Sequence, residues 1–163
     1  MQTEAARTLA VVSDSVDSVD DAILTRAARL SPAATRLLEL VAVSEGPLPL
    51  RVARRALGVL DEEDPTALLA GEHWVREENV GGVLMLDTQH DRLREVVGRS
   101  LSEDVRRQHH ELLARALEVE EPSMHEQLAH HHAEAGHLVL VIQHARTAAE
   151  HAMQQLAFDR AAK

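Results

Sequence analysis

Eleven histidines stand in a chain of 163 residues that contains no cysteine. Metal binding or covalent chemistry would therefore have to run on imidazole, carboxylate and hydroxyl groups. The densest run is His130-His131-His132. Consecutive residues of a helix point roughly 100° apart, so these three cannot face one ion. The zinc-hydrolase signature needs two histidines four residues apart with Glu directly after the first. His125-Glu126 is followed by Ala129 at the fourth position and His130 at the fifth, roughly 140° away around the helix axis. His130, His137, His144 and His151 recur every seven residues, which leaves neighbours about 10 Å apart along one helix. These spacings predict no metal site; they assign the histidines to polar helix faces and helix ends.

Catalytic machinery is equally sparse. Glu62-Glu63-Asp64 stands at a helix start, where the helix dipole favours negative charge, and so reads as capping acid rather than an acid–base pair. No Gly-x-Ser-x-Gly occurs and the serines sit mainly at cap positions. The only lysine is Lys163, whereas a P-loop needs an internal lysine to reach nucleotide phosphates. No catalytic residue and no cofactor held by this chain are expected.

Two groups could meet anions. Arg51, Arg54 and Arg55 form a basic cluster, but the segment in the position of a DNA-reading helix, Pro65 to Ala70, offers Thr66 as its only polar interior side chain. Base edges are read by Arg, Asn or Gln. The net charge of −10 also repels nucleic acid and anionic lipid, so the arginines are expected to pair within the domain or with a protein. His90-Asp91 is different. The pair falls at the first turn of a helix, where unpaired amides and the positive dipole end favour an anion.

The elements that position these residues are nearly all helical. Aromatics are confined to Trp74 and Phe158, so the core must be built from Leu, Val, Ile and Ala, of which Leu and Ala are strong helix formers. Residues 1–19 read as a polar, acidic linker or the remnant of an upstream domain. A helix follows from Asp20 or Asp21 to Leu30. Ser31-Pro32 restarts the chain as N-cap and first helical residue, and the new helix ends at Ser44-Glu45-Gly46-Pro47. Leu50 to Leu57 is a short helix closed by Gly58, and Asp64-Pro65 opens another that stops at Gly71. Residues 73–77 and 83–86 read as strands around Asn79-Val80-Gly81-Gly82, a hairpin turn. Thr88-Gln89-His90-Asp91 has capping-box spacing, with Asp where Glu or Gln is usual, and opens a helix with Leu93, Val96 and Val97 inward. Ser102-Glu103-Asp104 begins a helix to about Glu120 with Leu112, Leu113 and Leu117 inward. Ser123-Met124-His125-Glu126 is a full capping box before a helix that ends near Gly136. A longer helix runs to about Leu156, and Ala157-Phe158-Asp159-Arg160 begins another. The chain stops inside it, as a piece of a longer protein would.

The fold class expected is all-α with one small β-hairpin. Residues 20–100 have the element order of a winged helix, and residues 101–163 form antiparallel helical hairpins of the kind stacked in repeat arrays. The longest apolar run, Leu138 to Ile142, is far short of the roughly 20 residues that span a bilayer, and no signal peptide is evident. A cytoplasmic location without membrane contact is expected.

Several stretches in order resemble one family. They include Asp21-Ala22-Ile23-Leu24 and Arg29-Leu30-Ser31-Pro32-Ala33-Ala34, then Gly46-Pro47-Leu48-Pro49-Leu50 and His90-Asp91-Arg92-Leu93-Arg94-Glu95. Leu112-Leu113-Ala114-Arg115-Ala116-Leu117, Gln127-Leu128-Ala129-His130-His131 and Leu156-Ala157-Phe158-Asp159-Arg160 continue the series. From Asp20 onward the chain resembles the region after the ATPase core in large LuxR-type, maltose-regulator-like signalling NTPases of bacteria. The resemblance implies a winged helix followed by the first TPR-like repeats of a sensor arm. It also implies ATP or ADP bound by an upstream ATPase domain, and a protein or small-molecule inducer met through the repeats. DNA would be bound only through domains outside this chain. His90 would then be the nucleotide-sensing residue that approaches the phosphates of ADP, with Asp91 holding the local structure. Thr88 stands where the family usually has an aromatic residue. The alternative expectation is a stand-alone winged-helix DNA-binding regulator with a helical dimerisation tail.

Overall fold

The computed structural model describes residues 19–44, 46–58 and 64–161, with side chains through residue 154. The linker expected over residues 1–19 and the carboxylates Glu62 and Glu63 fall almost wholly outside the described residues. Most of the chain is helical. Helix α1 covers residues 19–27. Then come α2 (Pro32–Val43), β1 (Leu48–Pro49), α3 (Leu50–Leu57), α4 (Thr66–Gly71), β2 (Val75–Val80), β3 (Val83–Thr88), α5 (Asp91–Ser100), α6 (Glu103–Glu120), α7 (His125–Glu134) and α8 (Leu138–Ala161). No helix among the described residues is long and apolar enough to cross a membrane.

Local chemistry sets most of these boundaries. The Ser31 hydroxyl accepts from the Ala34 amide at 3.3 Å with Pro32 in the first turn, and Ser102 does the same for Val105, satisfying amides that the helix leaves unpaired. The Asp64 carboxylate accepts from the Thr66 amide at 3.0 Å. Gly58 ends α3 at φ 74°, a left-handed conformation that costs glycine little.

Three expectations need correction. The sheet has three strands rather than two: β1 pairs antiparallel with β3, Leu48 opposite Leu86, and gives the order β1-β3-β2. A two-residue strand that follows Pro47 and itself contains Pro49 has no periodicity to read. Neither capping box forms. Thr88 is the last residue of β3, paired with Val75 and buried, so α5 starts at Asp91 with His90 as its N-cap. Met124, not Ser123, caps α7, and it makes no side-chain cap bond. Finally, α8 continues unbroken through 157–160 to Ala161, because nothing in that stretch interrupts helical hydrogen bonding. The hairpin turn is as expected in place, with Val80 paired to Val83 and positive φ at both Gly81 and Gly82.

One core joins α2 to α6 and the sheet, centred on Leu37, Leu38, Leu40, Val52, Leu69, Trp74, Leu86, Leu113 and Leu117. Trp74 is wholly buried. Its amide donates to Leu69 and its carbonyl accepts from Gln89, so it links the end of α4 to the end of β3. The indole Nε1 donates to Glu72 at 3.1 Å, and the Arg26 guanidinium from α1 lies 4.3 Å above the ring, within cation–π range. Helix α8, by contrast, packs on α7 through half-buried residues and leaves Leu138, Val139 and Ile142 exposed.

Trp74→Ala is therefore expected to lower the unfolding free energy by about 3–5 kcal/mol, and Leu138→Ala by under about 0.5 kcal/mol. Urea denaturation measures both, and equal effects would overturn this placement of the core.

Candidate functional site

Nine of the eleven histidines, all but His73 and His90, lie between residues 109 and 151, eight on the three helices α6, α7 and α8 and His137 in the connection between α7 and α8. Helix α6 carries two rows of side chains. One row, His109, Leu113, Leu117 and Glu120, turns to the core. His109 Nε2 lies 2.8 Å from Glu39 of α2, and Glu120 and Glu121 pair with Arg55 and Arg51 of α3. The other row, His110, Ala114 and Glu118, steps by four residues and turns towards α7, as i, i+4 geometry requires.

Against that second row lie two clusters. In the inner one, His110 Nδ1 and His131 Nδ1 are 2.9 Å apart. His130 packs edge-on to His110, and ligand atoms of all three fall within 4.8 Å of one another. Since both nitrogens are Nδ1, one ring donates its Nδ1–H to the bare Nδ1 of the other, so the two rings hold different tautomers. Burial pushes His110 down to about 4, helped by His130, Arg106 and His109 and opposed by Glu134. Burial likewise lowers His131 to about 3, with His110, His130 and His132 adding to the effect. Both rings are neutral near pH 7.

In the outer cluster, His132 Nε2 is 3.1 Å from Glu118 Oε1, and His132 Nδ1 is 3.2 Å from His137 Nδ1. His144 of α8 stacks on His132 with ring centres 5.4 Å apart and planes at 10°. Its own Nδ1 lies 3.2 Å from His125 Nδ1. Burial, aided by His132 and opposed by Glu118, lowers the proton affinity of His144.

The helical argument against convergence holds within α7 and fails between helices. His132 does point away from His130 and His131, into the outer cluster. Yet α6 brings His110 against His130 and His131, and α8 brings His144 against His132. His125 and His130, the pair that failed the zinc-hydrolase spacing, indeed part company, His125 turning to His144 and His151. The signal in the sequence was only the crowding of nine of the eleven histidines between residues 109 and 151; which of them meet is set by the packing of the helices.

The nucleotide-sensing candidates lie elsewhere. His90 is the exposed N-cap of α5, without a side-chain cap bond, and Asp91 is exposed in the first turn. Arg92 beside them forks onto Asp20 of α1 through Nε at 2.8 Å and a terminal nitrogen at 2.7 Å, and reaches Glu95 at 2.7 Å. The basic cluster is spent on internal pairs, Arg55 on Glu120 at the end of α6, Arg51 on Glu121 just beyond it, and Arg54 on Asp64. The histidine clusters and His90 do not meet.

No family model, curated protein or solved structure matches this chain.

The inner cluster generates a pH prediction. His110 has an ordinary value of 6.5 when unfolded and about 4 when folded, so below pH 6.5 the unfolded chain binds the extra proton. Stability from this group is complete above pH 6.5 and is lost as the pH falls towards 4. Urea midpoints in metal-free buffer are expected to decline across that window. His110→Leu is expected to lower stability at pH 7 by about 1–3 kcal/mol, through the partner it removes from buried His131, and to make the acid decline shallower. An unchanged slope in the variant would refute the assignment.

Proposed function

We propose that this chain is a non-catalytic regulatory segment of a larger ATP-dependent bacterial signalling regulator, of the LuxR-type, maltose-regulator-like kind that its sequence resembles. In this reading residues 20–100 form a winged helix and residues 101–163 open a TPR-like array that meets a protein or small-molecule inducer. Nucleotide would be bound by an ATPase domain upstream, not by this chain, and the protein would work in the cytoplasm.

The observation that carries the reading is the element order α2-β1-α3-α4-β2-β3 with sheet order β1-β3-β2, followed at once by α5 with an exposed histidine at its N-cap. Three short helices, a strand set between the first two, and a terminal hairpin are the parts of a winged helix. Helices α6, α7 and α8, joined by short connections and packed α6 on α7 and α7 on α8, then suit the start of a helical array. His90 supports the sensing role by position: the start of a ten-residue helix attracts an anion, and the fork of Arg92 on Asp20 steadies the backbone beside it.

A stand-alone DNA reader fits less well. Helix α4 has Thr66 buried and exposes Ala67 and Leu68, a surface with no donor for a base edge. Arg51, Arg54 and Arg55 already hold carboxylates.

In the intact regulator, His90→Ala is expected to speed ADP release roughly tenfold or more, the loss of one charge-assisted contact of about 1.5–3 kcal/mol, and to raise output without inducer. The 163-residue chain carrying the same change should keep its melting temperature. ADP dissociation and reporter output that both stay at wild-type values would remove His90 from the sensing role. Competitor-resistant binding of duplex DNA by the chain alone would favour the DNA reader.

A further inference from the structure

We propose that Glu118, His132 and His144 form a binding site for a divalent first-row transition ion of the zinc class, one ligand from each of α6, α7 and α8. The donor set suits such an ion: imidazole nitrogen and carboxylate oxygen are borderline ligands, found together in zinc sites. One ligand atom from each residue lies within 4.8 Å of the other two. An ion at about 2.0–2.2 Å from its donors sets donor separations of roughly 3.3–3.5 Å. Glu118 Oε1 and His132 Nε2, at 3.1 Å, already stand near that separation, and His144 has to close by no more than about 1.5 Å.

The surroundings complete the site. Without metal, His132 Nε2–H donates to Glu118; with the ion on Nε2 the ring changes tautomer, its single proton moving from Nε2 to Nδ1. His132 then carries its proton on Nδ1, where His137 Nδ1 at 3.2 Å accepts it. His125 stands in the same relation to His144, 3.2 Å away. Outer partners of this kind fix the tautomer and orientation of ligating rings. Entry is open, because the Glu118 side chain is 42% exposed while His132 behind it is 3% exposed.

The inner cluster is the weaker candidate. His110, His130 and His131 bring no carboxylate, and His110 and His131 are both buried. An ion there would carry its charge into the interior with only Glu134, outside the ligand set, to offset it.

Binding would also have a structural effect. Helix α8 meets the rest of the chain chiefly through α7, and a metal bridging His144 to Glu118 would tie it to α6 as well.

The test uses the 163-residue chain, stripped with chelator and titrated with Zn2+ against a chromophoric competitor, with bound metal counted after gel filtration. One Zn2+ per chain is expected. His144→Gln should abolish retention, and Glu118→Gln should weaken binding at least roughly tenfold, an expectation drawn from the loss of one of three protein ligands. Both positions are on or near the surface, so the circular dichroism of each variant should match the wild type. Hydrogen exchange of α8 amides should slow with Zn2+ in the wild type and not in His144→Gln. No stoichiometric Zn2+ would overturn the proposal. So would full retention in both variants, which would move the ion to His110, His130 and His131.

Discussion

Helix α6 is packed on two sides at once, and the arrangement of the molecule follows from that double burial. Its core-facing row sets Leu113, Ala116 and Leu117 into the same cluster as Leu37, Val52 and Trp74. The row beside it places His110, Ala114 and Glu118 against α7. A helix with one apolar stripe can anchor one layer; α6 anchors two by making the second stripe from histidine, alanine and a carboxylate. His110 and His131 in that second interface are neutral near pH 7 and interlock through a hydrogen bond between their imidazoles. That choice accounts for the burial of His110, His131 and His132; among the described residues the other buried polar groups are His109, which meets Glu39 of α2, Thr66 and Thr88.

Charge acts here mainly as a register device. The pairs Arg51–Glu121 and Arg55–Glu120 join α3 to the end of α6, Arg92–Asp20 joins α5 to α1, and Asp87 lies between Arg76 and Arg94. Most are at least partly exposed, and each adds little stability. Their planar forks nevertheless accept only a narrow range of approach. With sixteen of the seventeen cationic residues being arginine, seventeen less the single Lys163, the surface is matched by geometry more than by net charge.

Much of this architecture was legible in the sequence, and the losses are instructive. Ser31, Gly58, Ser102 and Gly136 marked helix ends through local rules that tertiary structure did not disturb. Thr88 carried an equally good local signal, but pairing with Val75 extended β3 over it and moved the start of α5 to Asp91. Ser123 was likewise passed over when α7 opened at Met124. Strand β1 was invisible because two residues exhibit no period. His90 and Asp91 were placed at a helix start, and they are found there. The histidine clusters could not be read along a single helix. They arise from the angle at which α6, α7 and α8 meet, which no spacing within α7 encodes.

The position of Trp74 has a consequence for anyone who watches this protein in solution. It is the only tryptophan and there is no tyrosine, so ultraviolet fluorescence comes essentially from one indole, enclosed by α4, β3 and the guanidinium of Arg26. Emission therefore reports on that neighbourhood alone. Separation of α7 and α8 from α6 would leave it dark to the fluorimeter while helical ellipticity fell. Two optical signals that melt apart would locate a partial opening in the histidine half of the molecule without any added label.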